Sequence, residues 1–200
     1  MNEGEILSKL GDTTEVSGYR RYFPLNHESK KNNNYNFYIS NDESVIYKRN
    51  NHSNPSIEEF LQSAEKRRFF SQLLAGNALS ESLQFHVVKG FDLEADGSYK
   101  SEFIHGFRLD LLHTYDLSQE QVNSILFACE LFIDQIINSD SQGDLTGDWA
   151  LHNLVYSLKY EKIVNIDLEG FLFYDPIPQW ANCDLIVSWV QATIQRSLRV

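Results

Sequence analysis

The stretch from Gly143 to Gly170, GDLTGDWALHNLVYSLKYEKIVNIDLEG, constrains this chain more than any other. Within it NLVYS and KIVNI are two apolar, β-branched runs joined by the polar turn Leu158-Lys159-Tyr160-Glu161, a pattern that predicts two short paired strands. A hairpin brings its own ends together. Asn153 opens the first strand, Asp167 closes the second, and Asp148 lies on the loop just before. Three side chains able to ligate a hard divalent cation are thereby drawn toward one end of one hairpin.

The rest of the chain sets the bounds. Its 200 residues suffice for one large domain or two small lobes with a real core. There is no internal repeat, no apolar run of membrane-spanning length, and no basic, then apolar, leader pattern at the Met-Asn-Glu-Gly-Glu start, so the expected location is the cytoplasm. Two cysteines, Cys129 and Cys183, are too few for a disulfide framework and read as small buried residues in a reducing compartment. A net charge of -11 argues against a general nucleic-acid surface, because phosphate backbones require a positive footprint. An anionic nucleotide would have to be held by a few placed cations and a metal.

Taken in order, 18–25, 35–39 and 44–49 read as three successive antiparallel strands, the first two separated by the solvated stretch NHESKKNNN. Residues 55–75 read as a helix, with Asn54 as N-cap, Pro55 at the first helical position, Gly76-Asn77 as the stop, and Ile57, Phe60, Leu61 and Ala64 on its apolar face. Phe85–Lys89 and Ser98–Ile104, around the turn Ala95-Asp96-Gly97, read as two more strands of the first lobe, ended by His105-Gly106. The strongest helix starts at Ser118, where Ser118 and Gln121 make a capping box. Val122, Ile125, Leu126, Cys129, Phe132, Ile133 and Ile136 recur on its face. A last amphipathic helix carries Leu185, Ile186, Trp189, Val190 and Ile194.

The order Asp148-x-x-x-x-Asn153, strand, turn, strand, Ile166-Asp167-x-x-Gly170 resembles the catalytic loop and metal-binding motif of the protein-kinase-like fold. GDW and IDLEG are similar to the aminoglycoside, choline and lipopolysaccharide-core sugar kinases rather than to protein kinases. The resemblance implies that Asp148 takes the proton of an acceptor hydroxyl and that Asn153 and Asp167 hold Mg²⁺ on ATP. It further implies that Lys48, in VIYKR, contacts the nucleotide phosphates and that Glu65, in AEKRRFFSQLL, pairs with Lys48. Glu102, Phe103 and Ile104 would form the hinge that meets adenine through main chain. Other readings stand beside these: Lys48 as an ordinary exposed strand lysine, and Glu65 as a partner of Lys66 to Arg68 on a solvated face.

Asp144 rivals Asp148, since Gly-Asp-Leu-Thr also resembles small atypical kinases. Five residues on from Asp144 stands Trp149, which cannot bind magnesium, whereas five on from Asp148 stands Asn153. Thr146 occupies the place of the family's histidine, His152 reads as packing, and Glu169 is a secondary candidate for aiding metal or loop. NHESKKNNN holds no glycine where the family covers the phosphates with a glycine-rich turn.

The expectation is an α+β, two-lobed protein-kinase-like fold. A small antiparallel-sheet lobe with a leader and one helix spans 1–104, and a truncated helical lobe carrying the motifs spans 105–200. The function implied is ATP- and Mg²⁺-dependent phosphoryl transfer to a hydroxyl of a small molecule or a polysaccharide or lipopolysaccharide sugar, with room for a protein partner to complete the site. The alternative is a pseudokinase serving as a nucleotide-binding or protein-interaction module. A third reading is a metal-dependent hydrolase using Asp148, Asp167 and Glu169.

Overall fold

The computed structural model describes residues 16–22, 35–50, 86–138 and 151–167, with isolated positions 64, 68, 71 and 192. It is an α+β chain built mainly on antiparallel sheets, as the sequence predicts. Its residues cluster into two compact units that are each discontinuous in sequence: Met1–Arg67 with Phe91–Phe103, and Arg68–Gly90 with Ile104–Val200.

In the first unit, β1 (Tyr19–Tyr22), β2 (Tyr35–Ser40) and β3 (Val45–Asn50) form the antiparallel meander that their alternating patterns predict. β6 (Tyr99–Glu102) pairs with β3, and the two-residue β5 (Gly90–Phe91) completes the order β1-β2-β3-β6-β5. The buried side chains here are largely tyrosines, which bring apolar area and a hydroxyl that needs a partner. Tyr35 packs edge-on to Tyr99 with centroids 5.7 Å apart, and its hydroxyl donates to the Gly97 carbonyl at 3.4 Å. The Tyr47 hydroxyl donates to Glu94 at 3.1 Å. Buried Asn50 closes the same region: its amide donates to the Asp96 carbonyl at 2.7 Å, and its N–H donates to the Ser98 hydroxyl at 3.0 Å. These bonds hold the 95–97 turn, where Gly97 supplies the positive φ.

In the second unit the sheet order is β4-β9-β8-β7. β4 (His86–Val87) pairs parallel to β9 (Lys162–Asn165), whereas the sequence placed 85–89 with the strands of the first lobe. A short strand carries no local record of which neighbour it will choose, since that is set by partners distant in sequence. His105-Gly106, read as a strand end, instead leads into β7 (Gly106–Arg108), antiparallel to β8 (Leu154–Ser157). A Cβ at Gly106 would lie 1.9 Å from the Tyr156 carbonyl oxygen, so glycine is what admits the two backbones.

α1 (Gln119–Asn138) packs against β9. Its start is the predicted capping box made in both directions: the Gln121 N–H donates to the Ser118 hydroxyl at 3.2 Å, and the Ser118 N–H donates to the Gln121 side chain at 2.9 Å. Val122, Ile125, Ala128, Cys129 and Phe132 are buried, with Leu109, Leu112, Leu154 and Val164. Burial pushes the Cys129 thiol up to about 12, the inert buried cysteine that the sequence suggests. Cys183 and the apolar residues expected on the last helix, Leu185, Ile186, Trp189, Val190 and Ile194, lie outside the described residues. Of the predicted helix over 55–75, the described positions Ala64, Arg68 and Ser71 are helical and exposed. Their spacing is one helical face, which moves Ala64 from the expected apolar face to the solvated one.

Candidate functional site

β8 and β9 form the predicted hairpin, with Glu161 at φ 51 in the turn and its N–H donating to the Ser157 carbonyl at 2.9 Å. Leu154 pairs with Asn165, which fixes the register so that the residue before β8 and the second residue after β9 meet. The Asn153 side chain, 8 % exposed at the end of the 3-10 turn Leu151–Asn153, donates from Nδ2 to the Asp167 carboxylate at 3.4 Å. The Asn153 carbonyl in turn accepts the Ile166 N–H at 2.9 Å. The convergence that the hairpin argument requires is therefore present for this pair.

Asp148 lies outside the described residues, as do Asp144, Glu169, Gly170 and Glu65. Among the described residues no three His, Cys, Asp or Glu side chains gather as a metal-binding group. Asn153 and Asp167 offer a carboxylate and an amide oxygen, the hard donors that suit Mg²⁺. The amide presents its nitrogen to the carboxylate, so ligation through Oδ1 requires a half-turn of the carboxamide. His152 beside them is exposed, which departs from the packing role expected of it.

Sequence reasoning passed over Asn165. It is fully buried, and its Oδ1 accepts the Asp167 N–H at 2.8 Å, while its own carbonyl accepts the Val88 N–H at 2.9 Å. The signal was present as Asn-x-Asp at a strand exit, a sequence that closes an Asx-turn.

In the first unit, Lys48 is 6 % exposed, which removes the reading of an ordinary exposed strand lysine. It sits on β3 directly between Phe37 of β2 and Tyr99 of β6. Its ammonium lies 5.9 Å from one ring centroid and 5.4 Å from the other. Aromatic faces stabilise a partly desolvated cation.

Glu102 ends β6 opposite Val45, and the Phe103 N–H donates to the Ser44 carbonyl at 2.9 Å. Within the second unit the His105 carbonyl accepts the Leu158 N–H at 3.0 Å. Ile104 makes no hydrogen bond to another described residue.

No protein-family model matches the chain, and no curated protein matches it. Among solved structures it is similar to the apoenzyme of a macrolide 2'-phosphotransferase from Brachybacterium faecium. The TM-score is 0.42 at 11 % identity, over 96 % of this chain and 81 % of that one.

Proposed function

We propose that the chain is an ATP- and Mg²⁺-dependent phosphotransferase with a protein-kinase-like arrangement, acting on a hydroxyl of a small molecule or a sugar. The observation that carries the reading is the 3.4 Å approach of Asn153 to Asp167 across the ends of the β8–β9 hairpin. Both residues also satisfy the motif spacing. The buried Lys48 on β3 supports it from a separate part of the sequence.

In the reaction the acceptor oxygen forms a bond to the γ-phosphorus as the bond from that phosphorus to the β,γ-bridging oxygen breaks. The products are ADP and a phosphate monoester, and the hydroxyl proton passes to the Asp148 carboxylate. Mg²⁺, when bound, neutralises phosphate charge. Asp167 and Asn153 would hold it. By the motif resemblance Lys48 would draw charge from the phosphates, Glu65 would orient Lys48, and the main chain of Glu102 and Ile104 would meet the adenine edge. Transfer of this kind needs positioning and electrostatic complementarity more than covalent chemistry.

The second reading, a nucleotide-binding or protein-interaction module without transfer, is favoured by the absence of glycine from the chain between β1 and β2. Thermal unfolding of the wild type and of Asp167→Ala, with and without ATP and Mg²⁺, tests the nucleotide site. Ligand at about 100 times its dissociation constant stabilises by roughly 2.7 kcal/mol. For a chain of this size that is a rise of about 5–11 °C. The rise is expected to need the metal and to vanish in the mutant. No rise in a folded wild type would sink the reading, and a rise without acceptor-dependent ATP consumption would leave the module in its place.

A further inference from the structure

We propose that Asn165 is a positioning residue for the Asn153–Asp167 pair, its buried carboxamide fixing the backbone that aims the Asp167 carboxylate. The proposal rests on the phosphotransferase reading for its metal and on hydrogen-bond geometry for the rest. β9 is an inner strand, flanked by β4 and β8, and its Ile163 and Val164 are buried and apolar as an inner strand demands. Asn165 follows them at 0 % exposure, where a polar side chain is costly unless it is bonded.

Its bonds are directed at the site. The Asn165 carbonyl is taken by Val88, the Ile166 N–H by the Asn153 carbonyl, and the Asp167 N–H by the Asn165 Oδ1. Three consecutive residues thus have backbone groups pinned by Val88 just after β4, by the entry to β8, and by the Asn165 side chain. The last of these bonds turns the chain out of the ladder at the residue that carries the carboxylate. An apolar residue at 165 would continue the strand and leave the Asp167 N–H without its acceptor.

The test compares Asn165→Val with Asn165→Thr. The two replacements share shape and strand preference and differ in a hydroxyl able to accept an N–H two residues on. Mn²⁺ binding in the presence of a non-hydrolysable ATP analogue, followed by electron paramagnetic resonance, reads the site without turnover. Asn165→Val is expected to weaken Mn²⁺ binding about 10- to 100-fold, the usual cost of losing an outer partner of a metal ligand. Asn165→Thr is expected to recover most of it. Wild-type affinity in the valine variant, or equal loss in both, would overturn the proposal.

Hydrogen exchange at the Asp167 amide reads the bond independently of any metal. Protection is expected in wild type and Asn165→Thr and is expected to be lost in Asn165→Val. A wild type that binds no Mn²⁺ sinks the phosphotransferase reading, and amide exchange then still decides the positioning bond. Should the valine variant not fold, an unprotected wild-type amide overturns the proposal.

Discussion

Asp42, in the turn between β2 and β3, has its carboxyl held down to about 2. The Ser40 hydroxyl is the main cause, donating to it at 2.6 Å, followed by the Ser44 hydroxyl at 2.8 Å and the Ser44 N–H at 3.2 Å. The folded value lies below the ordinary 3.8, so the contribution to stability is present above that pH and is lost as pH falls through about 2. Urea midpoints of wild type and Asp42→Ala should therefore differ at neutral pH and draw together on acidification. A difference independent of pH would show that the turn does not depend on the charge. At this scale the sequence was most legible where two side chains stand at a fixed spacing. Ser118 and Gln121 were readable as a box from their spacing alone, and Asn153 and Asp167 from the geometry of a hairpin. Asn165 was less so, because inside KIVNI it reads as a strand residue, and only the aspartate two places on marks its turn.

Helix α1 was the most legible element because its period is carried by its own residues, among them Val122, Ile125, Cys129 and Phe132. The same periodicity leaves Phe127 and Leu131 exposed on the other side. Ile125→Ala should cost about 2–5 kcal/mol, as buried aliphatic truncations do. Phe127→Gln should stay within about 0.5 kcal/mol, as exposed substitutions do. Denaturant titration of the two variants separates these outcomes, and a large loss at Phe127 would mean that its face is covered. β5 and β7 were not legible. Strands of two and three residues contain too few positions to show a period of two, and they exist because β6 and β8 offer them edges. The side on which β4 pairs was illegible for the same reason.

For the whole molecule, the sequence gives no hint that the chain alternates between its two units. The expected boundary falls near 104, and Arg68–Gly90 clusters with Ile104–Val200. Expressed apart as 1–104 and 105–200, the second fragment lacks β4, and β9 becomes an open edge that invites association. It should show no sharp thermal transition by circular dichroism until the first fragment is added. A cooperative melt of 105–200 by itself would mean that β4 is dispensable.

The parallel pairing also imposes an order in time. His86 lies opposite Val164, 78 residues later in the chain. At roughly 5–20 residues per second, a nascent β4 waits about 4–16 s after its own synthesis before its partner is made. For all but the first part of that interval the ribosome has already delivered every strand of the five-stranded sheet, which ends at Glu102. Among the described strands β4 is thus the one that waits longest for its partner.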